Sequence, residues 1–231
     1  MLRGGSTVAS SIAIADVDSG QLAELMVGSS SAANSGPPHH GVPGDVLLDV
    51  CKLTVTDSRG LIAVDSLSLE VRSGEIVGIA GVAGNGQRSL TDAIAGLETV
   101  DSGSVTINGS DVTTAGIRDR VNSALAYIPE DRLGVGLAPK LPVTHNAVMR
   151  SYRTLRQGPM LSWDRAKAFS QNLIERFGVK VGRVDDALAS LSGGNLQRLL
   201  LGRELSGNPS VVVAAQPTRG LDVAGVGAIQ N

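Results

Sequence analysis

Cysteine, aromatic side chains and an excess of basic charge are all scarce in this chain. One cysteine, Cys51, stands among 231 residues, which excludes an internal disulfide and any cysteine-clustered metal site. It is expected to be a small buried hydrophobe, in keeping with an intracellular setting. Aromatics make up 2% of the residues, and none precedes Tyr127, so the core should be aliphatic and no base-stacking platform is expected. Twenty basic residues oppose 22 acidic ones, which leaves no electrostatic footprint for nucleic acid or anionic lipid. Apolar runs such as Val211 to Ala215 have the length of a strand and not of a membrane span. No basic-then-apolar leader opens the chain, and a cytoplasmic protein without direct membrane insertion is the expectation.

What the chain has in quantity is aliphatic residues and glycine, with 42% hydrophobic residues and 29 glycines. That is enough for one substantial core. Residues 1–28 are too short to fold alone, although Leu22, Leu25 and Met26 have helical spacing and Ser19 is placed to cap them. Residues 29–45 are rich in Ser, Gly and Pro and read as a linker. The adjacent His39 and His40 fall in it and are expected to be solvated. From residue 46 the pattern is α/β. "VLLDVCKLTV" and "AVDSLSLEV" alternate as strands do. "EIVGIAG", Glu75 to Gly81, predicts a buried strand, and "RSLTDAIAGL" a helix after it. Asn108-Gly109 between short β runs predicts a hairpin. The segment from Ala115 to Ser190 reads as mainly helical, its clearest helix running from Asp164 to Phe177 with Ala166, Phe169, Leu173, Ile174 and Phe177 on one face. "NLQRLLLGREL" is a further helix and "PSVVVAA" a second buried strand.

Two glycine-rich stretches carry the chemistry. "GVAGNGQRS" places Gly81, Gly84 and Gly86 where a phosphate-binding loop needs them, between a strand and a helix. There backbone N–H groups and the helix N-terminus can surround phosphate oxygens. The next two positions should be Lys and Ser/Thr, but they are Gln87 and Arg88, and Ser89 lies one place late. Gln87 has no charge, and Arg88 offers only donors and cannot ligate a metal. Taken alone, this loop is equally a turn without a ligand. The second stretch, "LSGGNLQR" from Leu191 to Arg198, opens a helix before a buried strand. Taken alone, it is equally a helix cap with Ser192 at the N-cap.

The order of these stretches resembles ABC-transporter ATPases, whose signature sequence is LSGGQ. The resemblance covers residues 46–231. It implies an α/β P-loop NTPase core with an antiparallel β subdomain and a helical subdomain. Residues 46–112 and 196–231 would form the core, and 113–195 the helical and signature part. It implies ATP as the ligand, bound at Gly81, Gly84, Asn85, Gly86, Gln87, Arg88 and Ser89. The signature is then Leu191, Ser192, Gly193, Gly194, Asn195 and Gln197. Glu130 in "YIPEDR" takes the Q-loop position and Asp222 belongs to the D-loop. "VVVAAQPTRGLD" resembles a Walker B strand, with Ala215 at the metal-supporting Asp position and Gln216 at the catalytic Glu position. Neither side chain can activate water, so no catalytic residue is intact and Mg²⁺ binding by this half is in doubt. The switch histidine that follows the D-loop in the family has no counterpart before Asn231.

"GVAGNGQ", "IPEDR", "LSGGN" and "AAQPTRGLDV" together are similar to the second nucleotide-binding domain of simple-sugar and nucleoside importers, which carry two such domains in tandem. On that resemblance residues 1–28 are the tail of a preceding domain. The implied partners are another ABC nucleotide-binding domain, whose ATP the signature would complete, and membrane permease subunits that hold the protein at the inner face of the plasma membrane. The strand at Val211 should then return beside the strand at Ile76, and one sheet edge with part of the core should be exposed. Two other readings remain at this point: a catalytically inert remnant or regulatory module of the same fold, and a non-transport ABC protein acting on DNA or ribosomes. The neutral charge counts against the second.

Overall fold

The structure, a computed structural model, describes residues 2–3, 6–7, 21, 42–82 and 84–218. The helix expected at Leu22–Met26, most of the linker with His39 and His40, and the D-loop residue Asp222 lie outside the described residues. Near the N-terminus, β1 (Leu2–Arg3) and β2 (Ser6–Thr7) form a short antiparallel ladder. Residues 41–219 form a separate compact unit.

That unit starts with a four-stranded antiparallel sheet whose strands lie in the order Ile62–Arg72, Val46–Thr56, Ser102–Ile107, Ser110–Asp111. The two alternating stretches become β3 (Val46–Thr56) and β4 (Ile62–Arg72), paired along their length. β5 (Ser102–Ile107) and β6 (Ser110–Asp111) form the expected hairpin. Asn108 at φ 50° and Gly109 at φ 74° supply the two left-handed residues that such a two-residue turn requires. Leu48, Val50, Leu53, Val55, Val105 and Ile107 point from this sheet into one aliphatic core. Cys51, expected inside, is exposed, because it follows Val50 on the outward side of the alternation that Leu48 and Val50 set. The alternation breaks after it, where β3 carries an irregularity between Val50 and Leu53, with Lys52 at φ 47°. A bulge inserts an extra outward residue, so Lys52 faces solvent beside Cys51.

Helix α1 (Gln87–Ala95) follows the glycine loop and buries Leu90, Ala93 and Ile94 against the sheet. Gly96, at φ 79°, ends it with its N–H on the Ala93 carbonyl. Its last carbonyls are also met by Arg120 of α2 (Ile117–Asn122), whose Nη1 donates to Ala93 O at 2.9 Å and Ile94 O at 2.8 Å. A guanidinium only 2% exposed is tolerated because these carbonyls, and the negative end of the helix, satisfy it.

The segment read as mainly helical from 115 to 190 also holds sheet. β7 (Leu125–Ile128), a four-residue apolar run too short for a helix, pairs in parallel with β10 (Val211–Ala214). A small hairpin, β8 (Arg156–Gln157) and β9 (Met160–Leu161), precedes the long helix. The helical part proper comprises α3 (Val143–Val148), α4 (Trp163–Arg176) and α5 (Gly193–Leu205). Ser162 caps α4 through its hydroxyl, and the expected face meets a second core with Val143, Leu188, Leu199 and Leu200.

Two strand expectations are corrected. Glu75 to Gly81 belongs to no ladder among the described residues, and Ile76 is 86% exposed. β10 does not return beside it: Val211 pairs with Leu125 and Ala214 with Ile128. An open groove of about 1690 Å³ is lined by Ile76, Val77 and Ile79 and also by Val212, Val213 and Ala214. Apolar residues alone do not bury a strand. It needs hydrogen-bonding neighbours, and among the described residues none pairs with this segment, so its side chains and most of β10 stay half or fully exposed.

Candidate functional site

The glycine loop is held against β4 by a close approach. A Cβ at Gly86, at φ 88°, would lie 1.9 Å from the Ala63 carbonyl oxygen, so only glycine fits. Gly84, at φ 94°, turns the chain in open space, and Asn85 N–H closes the turn on Val82 O at 3.2 Å. Gln87, at the lysine position, folds back. Its Nε2 donates to Val82 O at 3.3 Å and fills the space a Cβ on Gly81 would take. Ser89 is buried beneath the helix. Arg88 remains outside, its Nε on Asp92 Oδ2 at 3.2 Å. Gly81, Gly84 to Ser89, Glu130, Ala215 and Gln216 all line the single groove described above.

Below this loop lies a polar network that the residue order did not reveal. The Tyr127 hydroxyl donates to Asp92 Oδ1 at 2.5 Å and lies 3.5 Å from Thr91 Oγ1. Burial, and then the bond to the Asp92 carboxylate, push the Tyr127 phenol far above its ordinary range. The backbone N–H of Tyr127 donates to Glu204 Oε2 at 3.4 Å, and Glu204 is ion-paired with Arg150 and Arg203. The i,i+4 spacing of Arg88 and Asp92 was visible in the sequence; partners dozens of residues away carried no signal.

At the two positions where the resemblance implies metal-supporting groups, the side chains do not suit Mg²⁺: Arg88 only donates hydrogen bonds and the Ala215 methyl group has no ligating atom. Gln216 follows β10 in the left-handed region at φ 48°.

The signature residues do not line this groove; they sit at the start of α5. Leu191 packs in the helical core and Gln197 is 2% exposed, so these two anchor the segment. Ser192 and Gly193 are exposed. Ser192 occupies the N-cap position, but its hydroxyl does not cap the helix. It accepts from Asn195 Nδ2 at 2.9 Å, while Asn195 Oδ1 accepts from Lys180 N–H at 2.8 Å. Arg132 of "IPEDR" donates to Gly193 O at 3.1 Å. The first N–H groups of α5 therefore have no side-chain cap, and the Ser192 and Gly193 positions at that helix start are exposed, as an anion site requires.

A glycine loop against a sheet, a helix after it and a parallel strand at the same groove define a P-loop nucleotide-binding protein. The chain belongs to the ABC transporter family, whose sequence profile matches residues 64–219. It is 42% identical, over its whole length, to the glucose import ATP-binding protein TsgD13 of Haloferax volcanii, and covers 42% of that protein. It is 36% identical to the nucleoside import ATP-binding protein NupA of Lactococcus lactis over 98% of this chain and 45% of that one. The chain thus spans less than half the length of these curated relatives. Among solved structures it resembles the dimeric ABC transporter cassette MJ0796, with a TM-score of 0.66 over 79% of both chains and 22% identity. That likeness shows the fold. The same cassette bound to ADP and phosphate also matches, with a TM-score of 0.66.

Proposed function

We propose that residues 46–231 act as the second nucleotide-binding domain of a sugar or nucleoside importer, with an ATP site of its own that is degenerate and a signature that serves another domain. The observation that carries this reading is the contrast between the two glycine-rich stretches. At the loop, the lysine position is a glutamine bonded to the loop's own carbonyl, and Ala215 and Gln216 supply no base. At the signature, Ser192 and Gly193 are exposed and Asn195 orients the hydroxyl. ATP bound by the intact loop of a partner domain would meet that hydroxyl and the uncapped N–H groups of α5. Glu130 and the helical residues near it would face the permease, which would hold the protein at the inner face of the membrane. Residues 1–28 would close the preceding domain, and the D-loop residue Asp222 would lie at the domain interface.

The test is ATP hydrolysis by the complete two-domain subunit assembled with its permease. Ser192→Ala should lower turnover by at least tenfold, a loss of about one charge-assisted hydrogen bond. An unchanged rate would overturn the signature's role. The residues 46–231 half by itself is expected to show no hydrolysis, because the loop holds neither lysine nor carboxylate.

A further inference from the structure

We infer that Asp92 is the positioning residue of this half's nucleotide site: it holds Arg88 by one nitrogen so that the rest of the guanidinium is presented to phosphate. This rests on the reading that the glycine loop still binds a nucleotide. Arg88 is the one cation among residues 81–89, and Gln87 is neutral and turned back onto Val82 O. Any charge the loop offers to a phosphate therefore comes from Arg88.

The pair is asymmetric. The Arg88 side chain is 64% exposed and that of Asp92 8%. An exposed ion pair one helical turn apart adds little to stability. What it does is select one arrangement of a long side chain. Only Nε is engaged with Asp92, and both η nitrogens remain for an anion. Those two nitrogens form the fork that matches two phosphate oxygens. Asp92 itself cannot swing toward solvent, because its other oxygen accepts from the Tyr127 hydroxyl at 2.5 Å. Tyr127 lies in β7, two residues before Pro129 and three before Glu130. The carboxylate is thus fixed from below by a different element and fixes the arginine above. An arginine at the position of a metal-binding hydroxyl becomes, in this arrangement, a replacement for the missing lysine.

The experiment measures ATP and AMP affinity of the full chain by calorimetry, in EDTA so that no metal contributes. Arg88→Gln should weaken ATP roughly tenfold, the loss of a charge-assisted pair, and leave AMP nearly unaltered. Asp92→Asn should cut the ATP-over-AMP preference several-fold, since a neutral amide holds the guanidinium poorly, and Asp92→Glu should restore part of it. A merely structural role for Asp92 would weaken both nucleotides together. Tyr127→Phe, which keeps the ring in place, gives the same direction with a smaller loss and covers the case in which Asp92→Asn fails to fold. A wild-type preference retained in Arg88→Gln overturns the inference while the nucleotide reading stands. Absence of any nucleotide binding by the wild-type chain overturns both.

Discussion

Asn195 donates to Ser192 Oγ at 2.9 Å and is itself held through Oδ1 by the Lys180 N–H at 2.8 Å. With its acceptor side occupied by Asn195, the Ser192 hydroxyl has its proton left for another acceptor, and the geometry is set before any ligand arrives. Preorganised donors of this kind cost nothing to orient when a phosphate binds. In the complete subunit, Asn195→Ala should therefore reduce ATP turnover about tenfold while the melting temperature stays close to wild type. A steady-state ATPase assay beside a thermal melt reads both.

Gly84 and Gly86 share a positive φ but not a neighbourhood. Gly84→Ala should cost about 1 kcal/mol, the backbone term alone. Gly86→Ala adds a collision with the Ala63 carbonyl, a backbone atom that cannot turn aside, and should cost about 3 kcal/mol or more. Urea unfolding of the two variants measures the difference; equal losses would mean the loop does not rest on β4.

The two tyrosines should titrate at opposite ends of the phenol range. The Arg153 guanidinium, bonded to the Tyr152 hydroxyl at 3.1 Å, lowers that phenol from its ordinary value of 10.0, with Arg118 and Arg156 adding to it. Tyr127 is raised by burial and by Asp92. Absorbance near 295 nm should show one early step, removed by Tyr152→Phe, and no second step until the protein unfolds. The sign for stability follows. A phenol raised in the folded state contributes stability that is complete below its unfolded value near 10. That contribution is lost as pH rises through the higher folded value, so Tyr127→Phe should narrow the difference in stability between pH 9 and pH 11.

Cys51 offers a quick check on which face of β3 meets solvent. It is the single thiol of the chain and is exposed, so Ellman's reagent should react with the native protein at nearly the rate seen in urea. A thiol protected until unfolding would return Cys51 to the core and overturn the outward placement that β3 gives it.

Local features were legible. The hairpin at Asn108-Gly109 and the α4 face depend on neighbours a few residues away, where backbone sterics and side-chain period decide. β7 was missed because four apolar residues have too short a period to mark a strand inside a helical stretch. Cys51 faces solvent although cysteine is commonly a buried hydrophobe, because it follows Val50 on the outward side of the alternation that Leu48 and Val50 set.

The order of glycine loop, "IPEDR", "LSGGN" and "QPTRGLD" belongs to the sequence by itself, and so does the presence of Gln87, Arg88, Ala215 and Gln216 in those motifs. Chemistry a side chain does not possess is absent in any fold. Tertiary structure alone decided which groups those motifs meet. It turned Gln87 onto Val82, put Asp92 between Arg88 and Tyr127, buried Arg120 on the end of α1, and left Glu75 to Gly81 without a ladder partner among the described residues. Each of these depends on a contact made in space, and residue order carries little trace of a partner that lies far along the chain.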